Sequence, residues 1–133
     1  MLVEDPAAAQ VELYLASNDD EQLDLLLRDL KSSKYIYSFV HFAFRGRLVE
    51  SALERILRNA GRAPIVLVID YKFAKGECEA LLLAVRKLSK ITTIQCLVTN
   101  PPQDDRARSV LIGLGARLYD EDSAGIASLL TLH

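Results

Sequence analysis

Four apolar runs in this chain end on residues that carry oxygen ligands or nucleophiles. Val11-Glu-Leu-Tyr-Leu-Ala-Ser17 leads into Asn18-Asp19-Asp20-Glu21, and Ala63-Pro-Ile-Val-Leu-Val-Ile ends on Asp70. Thr92 to Thr99 (TTIQCLVT) ends on Thr99, and Ala116-Arg-Leu-Tyr119 leads into Asp120-Glu121-Asp122. Carboxylates gathered in one place bind a hard divalent cation through oxygen. One of them can also act as an oxygen nucleophile. Each residue has a plainer reading too. Asn18 or Asp19 can cap a helix. Asp70 can be a cap or the first solvated residue of a loop, Thr99 can satisfy backbone groups at a strand end, and Tyr119 can be a packed aromatic. The choice depends on whether the fold brings these run ends to one edge.

The elements that must position them follow from periodicity. Ile65 to Ile69 are five consecutive apolar residues, four of them β-branched, the pattern of a strand buried on both faces. Val11–Ser17, Tyr35–Phe44, Thr92–Thr99 and Ala116–Asp120 read as the other strands. Between them, apolar residues recur at helical spacing: Leu23, Leu26, Leu27 and Leu30; then Val49, Ala52, Leu53, Ile56 and Leu57. Leu81, Ala84, Val85 and Leu88 follow, in a helix starting near Gly76, with Tyr71 to Lys75 as a short loop before it. Ala107, Val110, Leu111 and Leu114 mark the fourth helix, with Gly115 just past its end. Ile126, Leu129 and Leu130 mark the last. His41, at an irregular polar position, suits a half-exposed edge strand.

Strand and helix therefore alternate five times, which gives a parallel sheet covered by helices on both faces. The expected fold is α/β, a three-layer, flavodoxin-like, doubly wound five-stranded sheet of order 2-1-3-4-5. In that order the first and third strands are neighbours, so Asp19 and Asp70 meet at the carboxyl edge, with Thr99 beside them. Residues 1–10 read as a frayed tail and residues 11–133 as one domain.

Composition narrows the function. The chain has 133 residues, half of them hydrophobic, and a net charge of −2, so no basic surface points to nucleic acid. No apolar run approaches the roughly 20 residues of a membrane span, and the acidic, Ala-rich start is no signal peptide. Cys78, on a helix, and Cys96, in a buried strand, are expected as free thiols, which suits the cytoplasm. His41 and His133 have no cysteine at zinc-ligand spacing.

Four stretches, Ala16-Ser-Asn-Asp-Asp-Glu21, Leu67-Val-Ile-Asp-Tyr71, Leu97-Val-Thr99 and Gly115-Ala-Arg-Leu-Tyr119-Asp-Glu-Asp122, together resemble the receiver domain of two-component response regulators. The resemblance spans Val11 to Leu132. It implies a phospho-acceptor at Asp70, switch positions at Thr99 and Tyr119, and a magnesium site at Asp19 and Asp70. The first acidic position of the family falls on Asn18, a neutral and weaker ligand. The family's lysine falls on Asp122, and Ser123 stands where the family has proline. The loop after Asp70 lacks the usual proline, and Gly76 comes about two residues early.

The lysine matters because a transferred phosphoryl group needs a cation. Two unit charges about 4 Å apart interact by about 4 kcal/mol at an effective dielectric near 20. Replacing that attraction with a repulsion disfavours phosphorylation, unless Lys72 or Lys75 substitutes. Asp122 turned inward would instead be an extra metal ligand. The expectation is a degenerate, or pseudo-receiver, module: a stand-alone cytoplasmic signalling domain, not an enzyme, that binds Mg2+ weakly and acts by contact with a histidine kinase or downstream effector. The alternative is a working phosphorelay receiver that takes phosphate on Asp70 with Mg2+. An unrelated flavodoxin-like binding module fits poorly, since no Gly-rich phosphate loop follows the first strand, and Ser17-Asn-Asp-Asp-Glu21 would repel a phosphate rather than cradle it. A homodimer through the fourth helix, fifth strand and last helix is also implied, with Ile112, Arg108 and Arg117 on that face.

Overall fold

A run of β-branched residues favours extended backbone and has no polar face to give to water. In a computed structural model, described for residues 10–18, 21, 24, 28, 36–42, 47–59, 63–90 and 93–119, that run is the central strand of the sheet. The strands are β1 (Gln10–Ala16), β2 (Ile36–Phe42), β3 (Ile65–Asp70), β4 (Ile94–Thr99) and β5 (Ala116–Tyr119). The helices are α1 (Leu48–Asn59), α2 (Tyr71–Ala74), α3 (Glu77–Leu88) and α4 (Asp105–Gly113). The sheet is parallel throughout, with order β2-β1-β3-β4-β5. This is the expected flavodoxin-like arrangement, and all six residues of β3 are buried.

Alternation sorts the strand residues onto two faces. Tyr14, Ala16, Leu67, Ile69 and Val98 face α1, α3 and α4, and join Ala52, Ile56, Leu81, Leu82, Val85 and Leu111 in one core. Leu13, Leu15, Val66, Val68 and Leu97 point the other way and are no more than 1% exposed. Both faces of the sheet are therefore out of water, as a doubly wound sheet requires. Gly115, at φ +96°, closes α4 by donating its N–H to the Ile112 carbonyl at 2.9 Å. That is the left-handed position expected for a glycine past a helix end.

Several details differ from the sequence reading. Gln10 already belongs to β1. Tyr71–Ala74, expected as loop, is one helical turn with Phe73 and Ala74 buried. Four residues are too few for a period to show, and burial of Phe73 decides the conformation. Leu57 and Val110, placed on apolar stripes, are 53% and 48% exposed. Leu57 falls in the last turn of α1, and Val110 lies on the flank of the row containing Ala107, Leu111 and Leu114. The leucines of the expected first helix and the whole of the last one lie outside the described residues. Glu21, Asp24 and Arg28 are helical and exposed, at the spacing of the polar side of that first helix.

Candidate functional site

The register of the sheet builds the site. Ala16 pairs with Ile69, Asp70 with Thr99, and Thr99 with Tyr119. Ser17, Asp70, Thr99 and Tyr119 thus form a row at the carboxyl edge, on the face opposite the core just described. Ser17, Asp70 and Thr99 are 0%, 3% and 2% exposed. Tyr119 is half-buried and Asn18 is exposed.

A buried carboxylate needs hydrogen-bond donors, and Asp70 has them from three directions. Its Oδ1 accepts from the Lys72 backbone N–H at 3.1 Å and from the Asn100 side-chain amide at 3.0 Å. Its Oδ2 accepts from the Ser17 hydroxyl at 3.2 Å. The Lys72 bond makes Asp70 the N-cap of α2, one of the plain readings of this residue. Asn100 reaches Asp70 because its backbone turns left-handed, at φ 48°, a conformation asparagine tolerates better than most residues. Ser17 is held in turn by β2: its N–H donates to the Phe42 carbonyl at 3.2 Å, and its own carbonyl lies 2.7 Å from His41 Nε2.

This arrangement bears on the magnesium expectation. An oxygen acceptor has two lone-pair directions. Both are used on Oδ1, and one on Oδ2. Magnesium is held among oxygen acceptors and waters, whereas the groups aimed at Asp70 are donors. Among the described residues, no cluster of three or more His, Cys, Asp or Glu is placed to hold a metal. Asp19 and Asp122 lie outside the described residues. The lysines offered as substitutes have exposed side chains, and Lys72 serves Asp70 through its backbone.

Ser17, Asn100 and His41 are site residues that the sequence reading passed over as such. Ser17 stands one place before Asn18, and Asn100 stands between Thr99 and the pair Pro101-Pro102. A strand end offers several polar residues, and only the register selects which of them face each other.

No protein-family model matches the chain, and no curated protein matches it. Two solved structures are similar to it, and the first of them, above a TM-score of 0.5, shares its fold. One is described as a pilus assembly-related protein from Burkholderia pseudomallei K96243, with 20% identity, coverage of 81% of this chain and 75% of that one, and a TM-score of 0.55. The other is described as a pilus assembly protein, cpaE, from Burkholderia thailandensis E264, with 21% identity, coverage of 81% and 82%, and a TM-score of 0.49. At 20% identity the likeness to the Burkholderia pseudomallei structure is one of fold alone: an α/β sheet covered by helices.

Proposed function

We propose that this chain is a receiver-like signalling module that works by protein contact, without a phosphorylation cycle and without enzymatic turnover. The observation that carries this reading is the closure of Asp70 by Ser17, Lys72 and Asn100. To accept a phosphoryl group, an Asp70 oxygen must leave its donors, reach solvent and attack phosphorus, and the added charge must be met by a cation. The receiver pattern supplies a lysine for that purpose, and this chain has Asp122 in its place. Asp19 and Asn18 remain the metal-position candidates, and Thr99 and Tyr119 the switch candidates, under the same proposal.

Beryllofluoride with magnesium, followed by fluorine NMR, tests it. Wild-type protein is expected to show no stable bound signal, and Asp122→Lys to gain one, because the substitution removes a negative charge and adds the missing cation. A strong wild-type signal that Asp122→Lys does not improve would establish the phosphorelay alternative.

The proposed contact face is α4 with β5. Ile112 is 58% exposed beside Val110 at 48%, and Arg117 is exposed on β5. One exposed apolar residue needs no explanation by itself, so the proposal depends on the two together. Ile112→Glu is expected to weaken self-association or partner capture at least tenfold while leaving the unfolding midpoint in place. Unchanged association by analytical ultracentrifugation and pull-down would remove α4 from the interface. For the partner, the Burkholderia structures offer one class to test beside kinases and effectors, the components of a pilus assembly machine. Two buried free thiols fit a reducing, cytoplasmic setting for such a module.

A further inference from the structure

We propose that His41 is the positioning residue of the Asp70 site: it fixes Ser17 in the orientation from which the Ser17 hydroxyl occupies Asp70 Oδ2. This rests on the reading of Asp70 as a carboxylate closed by its own protein's donors, and it names what keeps the second oxygen closed.

The paired register of β1 and β2 ends at Ala16 and Phe42. Ser17 lies one residue beyond it. Its N–H still finds the Phe42 carbonyl at 3.2 Å, and the imidazole of His41 meets its carbonyl, with Nε2 2.7 Å from that oxygen. A carbonyl oxygen only accepts, so Nε2 carries the proton, in the neutral Nε2–H tautomer or in the imidazolium. Both protonation states keep the bond. His41 pairs with Leu15 in the register, so by strand alternation its side chain projects on the same face as Leu15, Ser17 and Asp70. An edge strand thus grips both main-chain groups of Ser17, and the Ser17 side chain passes that grip to the central strand. The Ser17–Asp70 bond, at 3.2 Å, is longer than the usual range of about 2.5–3.0 Å for a hydroxyl donor, and so is weak. A small rotation of the Ser17 peptide is enough to break it.

The test uses the full chain and three NMR signals: the carbon-13 resonance of the Asp70 side-chain carboxyl, the nitrogen-15 resonances of His41, and the fluorine signal of beryllofluoride with magnesium. His41 is expected to be protonated at Nε2. Ser17→Ala and His41→Ala should displace the Asp70 carboxyl resonance in the same direction, and the double variant should displace it no further than Ser17→Ala alone. His41→Gln carries an amide donor of comparable reach and should restore most of the wild-type position, whereas His41→Asn is too short and should not. This pair still decides the matter if His41→Ala does not fold. An Asp70 resonance that stays at its wild-type position in His41→Asn or His41→Ala, while Ser17→Ala moves it, overturns the proposal, as does additivity in the double variant. Wild-type binding of beryllofluoride would count against the closed-site reading, and the carboxyl resonance would still decide the role of His41.

Discussion

Replacing Asp70 with alanine is expected to lower the unfolding free energy by about 3 kcal/mol, although no apolar packing is lost. The side chain, itself 3% exposed, caps α2 and accepts from the buried Ser17 hydroxyl and from the amide of the exposed Asn100. The buried Ser17 hydroxyl left without a partner costs about 1–3 kcal/mol, loss of a helix cap costs about 1 kcal/mol, and the exposed Asn100 amide can turn to water. The Ser17 hydroxyl can rotate to another acceptor, which keeps the total below the sum. Asp70→Asn keeps the shape and one acceptor oxygen, and its amide can point at the Ser17 oxygen, so about 1 kcal/mol is expected. Asp104 supplies an internal control. It caps α4 by accepting from the Ala107 N–H at 3.0 Å, but it is exposed, so Asp104→Ala should cost about 1 kcal/mol or less. Urea unfolding of the three variants decides the question. If Asp70→Ala costs no more than Asp104→Ala, the carboxylate is not held as described and is free for chemistry.

That contrast also shows what the sequence could and could not reveal. The apolar run Ile65 to Ile69 has no polar face, so β3 and the placement of Asp70 at its end follow from composition alone. The parallel sheet follows from the alternation of strand and helix, and its order from what is common for five such strands. The partners of Asp70 do not follow, because Ser17 and Asn100 are distant in the chain and meet only through the β1–β3–β4 register. Serine and asparagine are also ordinary at strand ends and before prolines, so neither stands out as a donor. His41 was legible as a half-exposed edge-strand residue, and it is one, but its bond to the Ser17 carbonyl needs the register as well. Leu57 and Val110 show the limit of periodicity: spacing assigns a face, and the reach of the neighbouring element decides burial. The convergence expected of Asp19 and Asp122 with Asp70 lies outside the described residues.

Stability should fall steeply above about pH 9, with the two buried thiols contributing about 4 kcal/mol of the loss by about pH 10.5. Burial pushes the Cys96 thiol from 9.0 up to about 12. Burial does the same to Cys78, also reaching about 12, with smaller contributions from the nearby Glu79 and Cys96. In the unfolded chain both thiols lose their protons near the ordinary value, whereas the folded protein keeps them. Between about pH 9 and 12 the unfolded state therefore binds fewer protons, and stability falls by about 1.4 kcal/mol per pH unit for each thiol. The full contribution is present below the unfolded value and is lost as pH rises toward the folded one. Tyr14 and Tyr71 are also raised from 10.0, chiefly by burial, and they join the decline only above that pH. The interval from about pH 9 to 10 is thus governed by the cysteines. Urea midpoints across it should fall in the wild type, and Cys96→Ala or Cys78→Ala should each remove about half of the slope, whatever either does to stability at pH 7. A flat wild-type profile to pH 10 would mean that the thiols reach water in the folded state. The expected decline has a functional corollary. Burial keeps both thiols away from water and raises their pKa, which disfavours the thiolate that acts as nucleophile, so Cys78 and Cys96 serve as core residues.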